Sequence, residues 1–163
     1  MRDDPDCRCY VSHLIAEHRR LHVLLRHLRM EMAHSLAPDE QPSFAGVQRV
    51  LTKLRQELKH HFAQEDAGGC LDEAVSRCPR LAGEAQRIEA EHPQILAELD
   101  RLITQSQKSP PTHPNQLALQ HEFDRLCQQL REHEKAENTL LSQGFGVTVN
   151  GDESGQAALT MDG

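Results

Sequence analysis

Leu58-Lys59-His60-His61-Phe62-Ala63-Gln64-Glu65 and, near the other end of the chain, Leu130-Arg131-Glu132-His133-Glu134-Lys135-Ala136-Glu137 each place a histidine four residues before a glutamate. On an α-helix, residues i and i+4 share a face and lie about 6 Å apart along the axis. From there an imidazole nitrogen and a carboxylate oxygen converge on one cation, or the carboxylate reaches across to a second. One such pair arises easily by chance. Two gain meaning only if the fold turns them toward the same place, so the residues around them decide.

Working outward, both stretches lie on apolar seams of helical period. Val47, Leu51, Leu54, Leu58, His61 and Glu65 follow steps of four and three after Ser43, a candidate N-cap, and Gly68-Gly69 stops the run. Leu119, Phe123, Leu126, Leu130, His133, Glu137 and Leu140 repeat the pattern. Upstream, Val11, Leu14, His18, Leu21, Leu25, Leu28 and Met32 make another seam, starting near Tyr10 and closed by Pro38 and Pro42. Between them, Leu81, Ala85, Ile88, His92, Ile95, Leu99 and Leu102 form the remaining one, with Pro79 suited to its first turn. Pro93 removes an amide from that helix and predicts a kink or bulge beside His92. If the helix starts at Pro79, His92 lies about 18 Å along it, about a turn deeper than the other polar seam residues.

Four such helices with short connections predict an all-α, up-down-up-down four-helix bundle over residues 10–142. Residues 1–9 read as an irregular arm and 143–163 as a flexible tail. In that tail Val147-Thr148-Val149 is a scrap of strand with no evident partner.

Composition narrows the function. The chain has 163 residues, enough for one domain with a real core, and a net charge of −7 from 18 basic and 25 acidic residues. With no basic patch, 3% aromatic residues and no Trp, it lacks a nucleic-acid face. No apolar run reaches membrane-spanning length, and the polar start Met1-Arg2-Asp3-Asp4-Pro5 is unlike a signal peptide. These features predict a soluble, cytoplasmic protein. The odd number of cysteines, 5, fits a reducing compartment.

The outlier is histidine, with 11 copies, and position explains part of it. Each seam holds one: His18, His61, His92 and His133. Glu65 and Glu137 join them on two seams, while histidines 13, 22, 27, 34, 60, 113 and 121 fall outside. Buried ionised carboxylates cost several kcal/mol each unless paired, and no lysine or arginine lies on any seam. A metal centre would supply the missing charge. A network of buried hydrogen bonds and a mononuclear or zinc site are the competing readings. The first must satisfy two acids without a basic partner, and six N/O ligands oversupply tetrahedral zinc.

The order of these residues resembles the hemerythrin-like, or HHE cation-binding, family of four-helix non-haem diiron proteins. The matching stretches are Glu17-His18-Arg19-Arg20-Leu21, His61-Phe62-Ala63-Gln64-Glu65-Asp66, Glu91-His92 and His133 to Glu137. The resemblance implies two iron ions with an oxo or hydroxo bridge, ahead of zinc or manganese. Glu65 and Glu137 would bridge them, with His18 and His61 on one iron and His92 and His133 on the other. Oxygen-carrying members have a second histidine four residues after the third-helix ligand, where this chain has Leu96. Counting ligands then leaves about two positions open for water or a small molecule, with His22 a turn after His18 as a candidate for one. The open site favours reactivity or sensing over reversible carriage, with dioxygen, nitric oxide or peroxide as ligand. A peroxidase- or oxidase-type enzyme on the same site and a metal-independent helical interaction module are the alternatives.

Cys7 and Cys9 precede the first helix, while Cys70 and Cys78 lie between the second and third. The bundle would bring these thiols near the metal-bearing end, where they could bind zinc or form a redox-switchable disulfide.

Overall fold

The computed structural model describes the backbone of residues 5–149 and 159–160 and the side chains of residues 9–149. The described fold is all-α apart from one small strand pair. Four long helices, α1 (Pro5–His34), α2 (Ala45–Asp66), α4 (Ala82–Lys108) and α5 (His113–Phe145), are joined by the short α3 (Cys70–Arg77) and a 3-10 turn (Pro79–Leu81). Ser43 Oγ accepts a bond from the Ala45 amide at 3.1 Å, which satisfies one of the free donors at the start of α2. No described helix is long and apolar enough to cross a membrane.

The chain forms two compact units, and α1, α2, α4 and α5 each contribute to both. One takes in residues 20–60 and 93–130, the other the described residues of 1–19, 61–92 and 131–163. The first has a leucine-rich core in which Leu28, Leu51, Leu54, Leu58, Leu99 and Phe123 are almost wholly buried. Its helix ends are tied by side chains: Gln116 Nε2 donates to Met32 O at 2.7 Å and Gln48 Nε2 to Ser106 O at 2.9 Å. Both carbonyls lie in the last turn of a helix, where main-chain donors run short, and Met32 O also accepts from Ser35 Oγ at 2.7 Å.

In the second unit α3 presents Cys70, Leu71 and Ala74 to Leu14 of α1, Ala85 and Ile88 of α4, and Leu140 and Leu141 of α5. The approach is tight at Gly144, where a Cβ would lie 2.6 Å from Ala74 Cβ. Gly146, at φ 66°, then turns the chain out of α5. Thr148–Val149 (β1) pairs antiparallel with Leu159–Thr160 (β2), Thr148 opposite Thr160 and Val149 opposite Leu159.

Every seam residue named from the sequence is buried except Leu25, which is half-buried while Leu24 beside it is buried. An α-helix drifts against a strict 3.5-residue repeat, which is enough to exchange neighbours. Three further expectations are corrected: where the first helix starts, where the last one ends and whether the strand scrap pairs. The first helix begins at Pro5, not near Tyr10, because proline is well suited to a helix's first turn. α4 runs as one helix with Pro93 exposed inside it, where a kink or bulge is expected, and His92 and Ile95 on either side are both buried. The last helix extends past residue 142 to Phe145, and the strand scrap does find a partner. The remainder of the tail lies outside the described residues.

Candidate metal centre

The compact unit that contains α3 also contains every polar residue singled out on the seams. His18 of α1, His61 and Glu65 of α2, His92 of α4 and His133 and Glu137 of α5 are all buried, none more than 6% exposed. The helical i, i+4 spacing puts His61 and Glu65 on one face of α2, and His133 and Glu137 on one face of α5. His92 is ten residues into α4 counted from Ala82, about 15 Å, so the later start of the regular helix removes most of the excess depth.

These residues form two overlapping groups. In His18, His61, Glu65 and Glu137, and again in Glu65, His92, His133 and Glu137, one ligand atom from each residue lies within 4.8 Å of all the others. The two glutamates belong to both. Glu65 turns Oε1 toward His61 Nε2 (3.4 Å) and Oε2 toward His92 Nε2 (3.2 Å). Glu137 turns Oε2 toward His18 Nε2 (3.2 Å) and Oε1 toward His133 Nε2 (2.9 Å). Each carboxylate therefore gives one oxygen to each group.

Distance would allow hydrogen bonds here, but direction does not. All four carboxylate oxygens and Nε2 of His18, His92 and His133 are buried without a hydrogen-bond partner. Burial pulls the pKa of His18 and His133 down, but the Glu137 carboxylate beside both outweighs it and lifts each to about 9. His92 is raised against the same burial by Glu65, with Asp66 adding to it. Glu65 itself is pushed up by burial and by the charge on Glu137. Glu137, although buried, is held well below the usual carboxylate range by His133 and His18. Seven orphaned polar atoms turned toward one another in a closed core are costly for a protein to keep. A cation among them would satisfy all seven, so the donor set fits a metal.

The outward nitrogens are held as well. His61 Nδ1 is bonded to Glu17 at 2.9 Å, His92 Nδ1 to Asp66 at 2.9 Å and His133 Nδ1 to Glu91 at 2.7 Å. Phe62, 2% exposed, stacks parallel on the His92 ring at 4.1 Å and meets His133 edge-on at 5.5 Å. Reading the seams did not assign these four residues a part in the site. A signal was present, since each lies directly beside a seam histidine or glutamate, with the three acids among them.

Other candidates stay outside. Histidines 13, 27, 34, 60, 113 and 121 are exposed, His22 is half-buried, and none belongs to either group. Leu96, where a further imidazole would have stood, is half-buried. Among the described residues no cysteine joins a group able to hold a metal, so the described thiols do not form the zinc site considered above. Cys9 is exposed, Cys70 and Cys127 are buried and Cys78 is half-buried, and none of these four is in a disulfide; the Cys7 side chain lies outside the described residues. Cys70 donates from Sγ to Tyr10 O at 3.3 Å, which places it against the segment that carries Cys9.

No curated protein and no solved structure matches the chain. The profile of the hemerythrin HHE cation binding domain matches residues 9–143, a span that includes all six buried histidines and glutamates. The match covers most of the chain, and the chain belongs to the hemerythrin family of HHE cation-binding domains.

Proposed function

We propose that the six buried residues hold a pair of iron ions and that the protein uses the pair to bind or react with dioxygen, nitric oxide or a peroxide, or to report oxygen, iron or redox state. In this reading Glu65 and Glu137 bridge, His18 and His61 serve one ion, and His92 and His133 serve the other. The observation that carries it is the division of each carboxylate, one oxygen to each group. Six N/O side chains exceed what a tetrahedral zinc site takes, and mixed imidazole and carboxylate donors suit iron. The same reading takes α1, α2, α4 and α5 as an up-down-up-down bundle.

When bound, the ions would supply positive charge and a redox-active centre with open positions for a small ligand. The chain's own residues do the rest. Glu65 and Glu137 neutralise charge in a closed core, and their fixed positions require little rearrangement when ions arrive. Leu14, Ile88 and Leu140, all buried in the same unit, keep bulk water out. Leu96 supplies no imidazole, which leaves the His92 side of the site with fewer protein ligands than an oxygen carrier has.

Anaerobic purification, loading with ferrous iron, metal analysis and a visible spectrum test this together. About two irons per chain are expected, with an absorption that changes when oxygen or peroxide is admitted. Protein that takes up no iron overturns the metal reading, and one iron per chain overturns the pair.

A further inference from the structure

We infer that Glu17, Asp66 and Glu91 are positioning residues, which hold the imidazoles of His61, His92 and His133 with their Nε2 atoms turned into the site. The inference rests on the metal reading above and extends it to residues that touch no metal.

A neutral imidazole has one N–H and one lone pair, and it can serve a cation at Nε2 only if its proton sits on Nδ1. A carboxylate that accepts Nδ1–H settles that choice, fixes the ring's rotation and makes the other nitrogen more basic. Three histidines of the site have this arrangement at once. Their Nδ1 atoms meet a carboxylate at 2.7–2.9 Å while their Nε2 atoms lie 2.9–3.4 Å from Glu65 or Glu137.

The arrangement is ordered through the sequence. Glu17 precedes His18 on α1 and serves His61 of α2. Asp66 follows Glu65 on α2 and serves His92 of α4. Glu91 precedes His92 on α4 and serves His133 of α5. Each acid thus sits beside one residue of the site and braces a histidine from the next long helix. Glu134, which follows His133, continues the order by bringing its charge near His18.

The bland alternative is three incidental ion pairs, since the Asp66 and Glu91 side chains are 53% and 41% exposed. Pairs between two exposed side chains contribute little. Here the imidazole of every pair is at most 4% exposed, so the acid acts on a group already locked in the interior. Glu17 is the best placed of the three. Its side chain is only 12% exposed, and its other oxygen meets His13 Nε2 at 3.4 Å. Phe62 already restrains the His92 ring, which makes that ring the least dependent on its acid.

The test is ferrous-iron affinity under anaerobic conditions, by competition with a chelator, alongside the visible spectrum of the cobalt(II)-loaded protein. Glu17→Ala, Asp66→Ala and Glu91→Ala are each expected to weaken affinity about 10–100-fold and to shift the cobalt bands, Glu17→Ala most. Their metal-free melting temperatures should stay within about 3 °C of wild type. Glu17→Gln, Asp66→Asn and Glu91→Gln keep an acceptor oxygen but lose the charge, so they should recover part of the loss and still shift the cobalt bands, which a merely structural role would not predict. Asp100→Asn, which removes an exposed partner of Arg55, is the comparison and should change neither readout. If wild type binds iron and the three alanine variants match it in affinity and spectrum, the positioning role is overturned and the metal reading stands. If an alanine variant fails to fold, its amide variant decides: wild-type affinity and an unshifted spectrum there, with a collapsed alanine variant, mean a structural brace and overturn the inference. If wild type binds no iron, the metal reading itself falls.

Discussion

Glu65 and Glu137 share one core and each faces two imidazoles, but the protein holds their protons in opposite ways. Glu137 is wedged between His133 at 2.9 Å and His18 at 3.2 Å and stays ionised, while Glu65, with looser contacts and the Glu137 charge nearby, is pushed toward its neutral form. Without metal, then, the histidines themselves supply counter-charge, His133 and His18 to Glu137 and His92 and His61 to Glu65.

That asymmetry separates two substitutions in the metal-free protein. Glu137→Ala leaves His18 and His133 without the carboxylate that keeps them charged and should cost about 3 kcal/mol. Glu65→Ala removes an acid the core already disfavours and should cost about 1 kcal/mol or less. Urea unfolding of both variants at neutral pH reads the difference, and equal losses would contradict the assignment. Both should bind metal far more weakly than wild type.

Metal removal should lower the melting temperature, because ions that bind only the folded state add their binding free energy to folding. At a free metal concentration 1,000 times the dissociation constant the gain is about 4 kcal/mol. Replacing the four histidines and two glutamates by Leu or Met of suitable volume should give a metal-free protein more stable than wild-type apo-protein. Several volume combinations are needed, since overpacking also destabilises. Matched melts of apo, iron-loaded and filled proteins measure this, and an apo-protein that melts no lower than the iron form would remove the site from the core's energetics.

The choice of ligands is tested by counting iron. His18→Ala, His61→Ala, His92→Ala and His133→Ala should each lose metal, because each removes one of the inward Nε2 atoms. His27→Ala, His34→Ala and His121→Ala act on exposed rings and should retain wild-type content. Equal iron across the two sets would show that burial selected the wrong imidazoles.

The thiols should differ sharply in alkylation. Burial and the nearby charges of Glu65 and Glu137 push the Cys70 thiol up to about 12, so it stays protonated across the working pH range. Because its pKa is raised above the unfolded value, rising pH strips the proton from the unfolded chain first, and stability falls from about pH 9 upward. Exposed Cys9 should react with iodoacetamide in the folded protein at pH 8, and Cys70 only after unfolding. Peptide mapping decides, and modification of Cys70 at the rate of Cys9 would refute its burial. Mild oxidation followed by the same mapping tests for a Cys9–Cys70 bridge, which needs Cα atoms within about 7 Å.

The amino-acid order alone determined that the chain is helical and which faces are buried, because period and apolar content are local properties. It also singled out His18, His61, Glu65, His92, His133 and Glu137, since a polar residue on an apolar seam stands out without any knowledge of its neighbours. Tertiary structure decided which atoms meet. The division of each glutamate's oxygens between two groups depends on side-chain rotation and on which helices face one another, and spacing along one helix says nothing about either. The parts of Glu17, Asp66, Glu91 and Phe62, although each adjoins a seam histidine or glutamate, were settled by tertiary contact for the same reason. Each acid sits beside a site residue on its own helix but bonds a histidine of another, and a half-exposed acid on a charged surface looks like any solvated residue. Where the first helix starts and where the last one ends were also decided late, because terminal turns gain their stability from packing more than from local preference.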